Sequence, residues 1–174
     1  MAIMLPALLG VTACGAFSQT ADPTSTIEVD RDNREEGDIE GQLGDTHKVY
    51  DLEVTVVSVK RVAEYSEIDS RGYIEAVVRM ENTTSKDIDY DRSDWRIEKP
   101  DGTISNTTNV ADISQLTDDA VPAGGTVEGT VVFAVGEESG QFAVLFVSAS
   151  MRPDDELSRE RGVWVFESHA EDAE

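Results

Sequence analysis

The sequence is poor in the residue types on which most enzyme and nucleic-acid sites depend. It contains one cysteine and two histidines, and its 14 basic residues face 36 acidic ones, for a formal net charge of −22. A surface this negative repels phosphate, and no cluster of Lys or Arg offsets it, so nucleic-acid binding is disfavoured. A single cysteine excludes an internal disulfide, a redox pair and a thiolate zinc site.

Aromatic residues and helical periodicity are also scarce. Phe, Trp and Tyr make up 6% of the chain, which leaves little material for the aromatic-lined cleft of a glycosidase. No serine lies in a Gly-x-Ser-x-Gly turn, so His47 and His169 have no nucleophile with which to form a triad. The sequence therefore predicts a protein that is not an enzyme and holds no cofactor.

The first residues predict export and a lipid anchor. Residues 1–13 carry no charge and form an apolar run too short to cross a hydrocarbon core of about 30 Å, which is typical of a secretory signal. The run ends in Val11, Thr12, Ala13 and Cys14, which resembles the lipobox of bacterial lipoproteins. The resemblance implies that the Cys14 sulfur receives a diacylglyceryl group and becomes the N-terminus. We expect a protein anchored by lipid to the extracytoplasmic face of the cell membrane.

The rest of the chain divides by composition. Residues 14–43 are rich in Ser, Thr, Asp, Glu and Gly and have few large apolar side chains, so we expect a flexible acidic linker. Residues 44–167 carry the apolar patterning of a folded domain. Residues 168–174 are polar and acidic, and we expect a disordered tail.

Within the predicted domain, apolar and polar residues alternate in short runs, which is the period of half-buried strands. The predicted strands are Thr46–Tyr50, Leu52–Val56, Ile74–Met80, Trp95–Glu98, Thr103–Ser105, Val127–Val135, Phe142–Val147 and Val163–Phe166. Turn residues such as Pro100-Asp101-Gly102 separate them. Short strands without helices predict an all-β fold, an immunoglobulin-like antiparallel β-sandwich of seven to eight strands.

Several segments together resemble a known domain family. They are Gly44-Asp45-Thr46, Leu52–Val56, Val77–Thr84, Asp94–Ile97 with Asp101-Gly102, and Pro122–Phe133. The pattern is similar to the telokin-like, immunoglobulin-like domain of actinobacterial surface lipoproteins of unknown function, which also occurs in the mycobacterial immunoprotective extracellular antigen. The resemblance spans residues 44–166. It implies a sandwich fold at the cell surface and supplies no catalytic residues.

One acidic run has partial metal-site spacing. Its members are Asp87, Asp89, Asp91 and Asp94. With Glu98 the first three match positions of an EF-hand loop, but Arg92 stands where the loop requires glycine and no helices flank the run, so the EF-hand interpretation fails. A loop that binds Ca²⁺ weakly through these four aspartates is one hypothesis. The alternative, which we favour, is a solvated acidic edge that discourages sheet pairing.

Two further features are open to interpretation. Trp95 and Trp164 lie inside apolar alternations, which favours core positions over an exposed aromatic surface. Residues 106–120 form the longest stretch in the domain without clear strand signals. Long loops of sandwiches often carry binding, so this segment is the first place to look for it.

These features favour a lipid-anchored, non-catalytic binding domain. Its partners would be the membrane, through the anchor, and an unidentified extracytoplasmic protein or cell-wall component. The alternative is a passive structural or shielding protein whose acidic surface is its working feature. An adhesion module with weak Ca²⁺ binding and an enzyme rank below both.

Overall fold

The computed structural model describes residues 33–65, 72–111, 113–148 and 160–173. Within these ranges, the segments in which apolar and polar residues alternate form strands. These residues belong to one unit, residues 31–174. The strands are β1 (Asp38–Gln42), β2 (Thr46–Val49), β3 (Leu52–Val62), β4 (Tyr73–Asn82), β5 (Ile88–Tyr90), β6 (Trp95–Glu98), β7 (Ile104–Asn106), β8 (Asp119–Val121), β9 (Thr126–Ala134), β10 (Gly140–Phe146) and β11 (Arg161–Ser168). Two short 3-10 turns, Arg92–Asp94 and Ala170–Asp172, accompany them.

The strands build two facing sheets and a small ribbon. One sheet has the order β1-β11-β10-β6-β7, the other has the order β2-β3-β4-β9, and β5 pairs with β8. All pairs are antiparallel except β1 with β11, which run parallel. The predicted all-β sandwich is confirmed. The predicted count of seven to eight strands is wrong, because β1, β5 and β8 add three strands to the eight that the alternation indicates.

The core lies between the two sheets. Trp95, Trp164 and Phe133 are fully buried there, among the inward valines of β3 and β4. The core interpretation of both tryptophans is therefore confirmed. Burial of each large apolar side chain contributes about 1.5–3 kcal/mol, so this layer stabilises the sandwich without a disulfide.

The boundaries of the predicted linker and tail need correction. Residues 38–42 are not linker, because they form β1 and Asp38 pairs with Arg161 on β11, Nη2 to Oδ2 at 2.6 Å. The predicted disordered tail is also wrong at residues 170–172, which form a 3-10 turn held by a hydrogen bond from Ala170 N to Ser139 Oγ at 2.9 Å. Residues 14–32 of the predicted linker lie outside the described residues.

The segment after β7, the first place to look for binding in the sequence, covers the edge and outer face of the second sheet. Thr108 N donates to Val132 O at 2.7 Å, and Leu116 N donates to Thr130 O at 2.8 Å, so the segment occupies the free edge of β9. Val110 and Ile113 pack on an outer cluster. Most of this loop therefore serves as structural cover.

In the described ranges, no helix combines the length and apolar character that a bilayer crossing requires.

Candidate functional site

The site begins with an irregularity in β3. The pairing of β3 with β4 shifts between Val56 and Ser58, so one extra residue interrupts the alternation. Before this bulge Val54 and Val56 face the core, and after it Val59 and Arg61 do so. A bulge reverses which residues face each side of a strand. It therefore places a guanidinium at a core-facing position where continued alternation would place Ser58 or Lys60.

Beside Arg61 the two sheets leave an open cleft. Strand β2 pairs only with Leu52–Thr55 of β3, and β1 pairs only with Arg161–Val165 of β11. Among the described residues, no strand pairs with the later parts of β3 and β11 on this flank. The cleft between them has a volume of about 400 Å³ and is lined by Val59, Lys60, Arg61, Glu167, Ser168 and Asp172.

Arg61 is buried at this cleft with most of its hydrogen-bonding capacity unused. The residue is 6% exposed, and its guanidinium carbon lies 5.7 Å from the centre of the Phe142 ring. Its Nη2 donates to Gly136 O at 2.6 Å, while Nε and Nη1 have no hydrogen-bond partner among the described residues. Burial lowers the pKa of the Arg61 guanidinium, against the opposing charges of Glu138 and Asp172.

The acidic groups nearest to Arg61 are engaged elsewhere or exposed. Glu138 Oε1 accepts from Lys99 Nζ at 3.0 Å, and Asp172 stands exposed on the last 3-10 turn. Within the described ranges, no carboxylate lies within ion-pair distance of Arg61. An unsatisfied buried donor costs about 1–3 kcal/mol, and more when charged, so this arrangement calls for a functional explanation.

A close backbone approach presents a hydrogen-bond acceptor to Arg61. Val135 N and Gly136 N both donate to Gly72 O, at 2.8 and 3.0 Å. A Cβ on Gly72 would lie 2.2 Å from Gly136 O and 3.1 Å from Arg61 Nη2. Only glycine therefore permits the approach that presents Gly136 O to the guanidinium.

Three of the four aspartates of the acidic run accept hydrogen bonds from the backbone, and two of these, Asp91 and Asp94, cap the same 3-10 turn. Asp87 Oδ1 accepts from Ala123 N at 2.9 Å, and Asp91 Oδ1 accepts from Ser93 N at 2.6 Å. Asp94 is buried and its Oδ2 accepts from Asp91 N at 3.0 Å, while Asp89 lies on β5 with its side chain exposed. In the parts of the chain that the structure describes, no group of three or more His, Cys, Asp or Glu residues could hold a metal ion.

The two histidines lie apart. His47 is buried and stacks on Trp164 with ring centres 4.7 Å apart, and burial lowers the pKa of its imidazole. His169 is exposed and precedes the last 3-10 turn. Neither histidine therefore joins the other in a common site. The predicted lipobox residues Val11, Thr12 and Ala13 and the predicted lipidation residue Cys14 lie outside the described residues.

Sequence reasoning did not identify Arg61. The available signal was the pair Val56-Val57, two adjacent valines that break the alternation of β3. Such a break is typical of a bulge, and it indicates that the residues after it change faces.

The sequence matches one family model. The model for DUF4352, a domain of unknown function, matches residues 41–155. No curated protein matches the chain.

Solved structures share the fold. A predicted lipoprotein of Bacillus subtilis, ycdA, is 20% identical with a TM-score of 0.55, and the match covers 69% of this chain and 38% of that one. The chain thus spans well under half of ycdA. The yjhA protein of the same organism is 16% identical with a TM-score of 0.57, over 72% of this chain and 97% of that one.

A third neighbour is MPT63, a secreted protein of Mycobacterium tuberculosis. It is 16% identical with a TM-score of 0.52, and the match covers 72% of this chain and 95% of that one. These likenesses show the fold. They confirm the predicted resemblance to a β-sandwich family of unknown function.

Proposed function

The chain belongs to the DUF4352 family of domains of unknown function, and from this premise we propose that it is a lipid-anchored, extracytoplasmic protein with a non-catalytic binding domain. Cys14 is the anchor, and the β-sandwich is the binding domain. The cleft beside Arg61 is the binding surface.

The anchor proposal rests on Val11-Thr12-Ala13-Cys14 after an uncharged apolar run. The structural neighbours support this location, since one is a predicted lipoprotein and another is a secreted protein. A diacylglyceryl group supplies two acyl chains, and each buried CH₂ contributes about 0.8 kcal/mol to membrane binding. Two chains hold a protein stably on a membrane, whereas one chain does so only marginally.

The binding proposal rests on one observation, the partly unsatisfied guanidinium of Arg61 at the base of an open cleft. A group buried without partners lowers the stability of the free protein, and a ligand that satisfies it recovers that free energy on binding. Most of the described residues that line the cleft carry charged or polar groups suited to holding a ligand, which supports a binding role.

Lipidation is tested by Cys14→Ala in cells fed an alkyne fatty-acid analogue. The native protein should take up the label and sediment with membranes, and Cys14→Ala should do neither. Ser18→Ala, in the same segment, is the matched control and should behave as the native protein does. Equal labelling of native protein and Cys14→Ala would refute the anchor.

Binding is tested by affinity capture from envelope extracts with the full chain carrying Cys14→Ala. A partner that saturates at physiological salt and is lost with Arg61→Met supports a binding domain that uses this cleft. Capture that depends only on low salt, and is equal for both proteins, would favour passive shielding by the acidic surface instead.

A further inference from the structure

We propose that the cleft between β3 and β11 binds a small zwitterion of the amino-acid or dipeptide class, with its carboxylate on Arg61 and its ammonium group on the acidic wall opposite. This inference rests on the proposed binding function and names the ligand chemistry. It follows from the charges that line the cleft, the unused donors of Arg61 and the size of the space.

The wall formed by β3 supplies the carboxylate site. Arg61 Nε and Nη1 are donors without partners among the described residues, and charged donors of this kind bind a carboxylate more strongly than a neutral acceptor. Lys60 lies beside Arg61 on the same wall and adds positive charge. A carboxylate placed here would neutralise a guanidinium that burial now disfavours.

The opposite wall supplies the ammonium site. Glu167 at the end of β11 and Asp172 on the last 3-10 turn both line the cleft, and both are exposed. Ser168 also lines the cleft and offers a hydroxyl. Asp172 Oδ2 accepts from His169 N at 3.1 Å, so its Oδ1 and the exposed Glu167 carboxylate are the oxygens that would meet a ligand cation.

The two walls together exclude ligands with a single charge. A simple anion would meet Glu167 and Asp172 and the negative field of the whole chain, and a simple cation would meet Arg61. A ligand that carries both charges satisfies both walls. The volume of about 400 Å³ lies at the small end of ligand sites, which suits an amino acid or dipeptide better than a longer chain.

Binding requires a small movement of Arg61. Its Nε and Nη1 are closed to solvent in this structure, so the guanidinium must turn toward the cleft before a ligand can reach them. The turn sacrifices one hydrogen bond, from Nη2 to Gly136 O. Two new charge-assisted hydrogen bonds to the ligand outweigh that loss.

The proposal is tested by ¹H–¹⁵N NMR titration of the full chain carrying Cys14→Ala, with glycylglycine as the probe and acetate and methylammonium as single-charge controls. Glycylglycine should cause saturable shifts confined to the amides of Val59–Arg61 and Glu167–Asp172. Its affinity should exceed that of either control roughly tenfold or more, since two charge contacts act together.

Variants separate the two walls. Arg61→Met and Asp172→Asn should each weaken glycylglycine binding about tenfold, whereas Arg96→Met, which removes an exposed arginine elsewhere, should not. If Arg61→Met does not fold, the affinity of Asp172→Asn for glycylglycine tests the proposal. Asp172 is exposed, so its replacement should leave the fold intact. Absence of saturable shifts, equal binding of acetate, or native affinity in Asp172→Asn would overturn the proposal.

These results are distinct from failure of the proposed function. Glycylglycine could fail to bind while affinity capture still yields a partner that Arg61→Met does not bind. That result would support the proposed binding domain and contradict the zwitterion proposal. If capture yields no saturable partner and glycylglycine does not bind, both proposals fail.

Discussion

Two buried arginines, Arg161 on β11 and Arg61 on β3, differ in how many of their hydrogen-bond donors have partners. Arg161, at the start of β11, is 5% exposed and donates to Asp38 Oδ1 and Oδ2 at 2.7 and 2.6 Å and to Asn33 O at 2.6 Å. Arg61, on β3 beside the cleft, is 6% exposed and makes one hydrogen bond, to Gly136 O. The two arginines are therefore equally buried but differ in their number of hydrogen bonds.

The pKa values of the two guanidinium groups shift in opposite directions, because the hydrogen bonds and charges around them differ. Burial by itself lowers the pKa of Arg161, but hydrogen bonds to Asp38 and the charges of Asp38, Glu35 and Glu98 raise it overall. At Arg61 burial prevails and the pKa falls. Arg161 has hydrogen-bond partners that stabilise the fold, whereas Arg61 has two buried nitrogens without partners among the described residues. We call the Arg161 group, with Asp38 and Asn33, the β1 clamp, because it holds β1 against β11.

The largest expected effect comes from breaking the β1 clamp. Arg161→Met leaves the Asp38 carboxylate, 6% exposed, buried without its partner, and should lower the free energy of unfolding by about 3–5 kcal/mol. Urea denaturation measures it. The matched control is Arg79→Met, whose arginine pairs with Glu128 at the surface and should cost no more than about 1 kcal/mol. Equal losses in the two variants would show that the clamp is not structural.

The close approach of Gly72 to Gly136 should show the next largest effect on the free energy of unfolding. Gly72→Ala places a Cβ against Gly136 O, and overpacking of this severity costs about 3 kcal/mol. The shift of Gly136 should also change the environment of Arg61, visible in the NMR signal of its Nε–H. Native stability in Gly72→Ala would contradict the close approach.

Low pH should lower the stability of the native protein through His47, which lies beside β1. His47 packs on Trp164 and against Gly41 of β1, and burial lowers its pKa in the folded state below 6.5, with Asp45 opposing the shift. The stability it confers is therefore complete above pH 6.5 and declines as the pH falls toward the folded-state pKa.

Urea titrations at pH 7.5, 6.5 and 5.5 measure this effect. In the native protein the free energy of unfolding should fall between pH 6.5 and 5.5, and His47→Gln should reduce this fall. His169→Gln, at an exposed position, should show the same fall as the native protein. An unchanged slope in His47→Gln would assign the pH dependence to other groups.

The smallest change in stability is expected at Arg61 itself. Arg61→Met removes a buried charge that has one hydrogen bond and leaves an apolar side chain over Phe142. Replacements of this kind are often neutral or stabilising, so we expect a change in unfolding free energy within about 1 kcal/mol of zero, or a gain. A loss comparable to that of Arg161→Met would make Arg61 a structural residue and end the contrast.

The contrast also shows what the sequence could reveal. Alternation predicted the strands that form the bulk of both sheets, because each buries one face and is long enough to show the period. It did not predict β1, since Asp38–Gln42 has one large apolar residue and gains its stability from Arg161, far away in the chain. The three-residue strands β5 and β8 are too short to show any period.

The candidate site was hidden for a related reason. A one-residue bulge decides whether Arg61 faces the core or solvent, and bulges are set by pairing with a neighbouring strand. The proposed anchor motif, by contrast, is a contiguous run of residues around Cys14, so it can be predicted from the sequence alone. Local motifs can be predicted from one chain, whereas a site assembled from β3, β11 and a 3-10 turn cannot.

The most direct test of the account follows the Arg61 Nε–H resonance of the full chain carrying Cys14→Ala, with and without glycylglycine. We expect a signal without a hydrogen-bonded shift in the free protein, and this signal should move downfield and saturate as the dipeptide is added. A signal that is already hydrogen-bonded in the free protein, or that does not respond to glycylglycine, would contradict it.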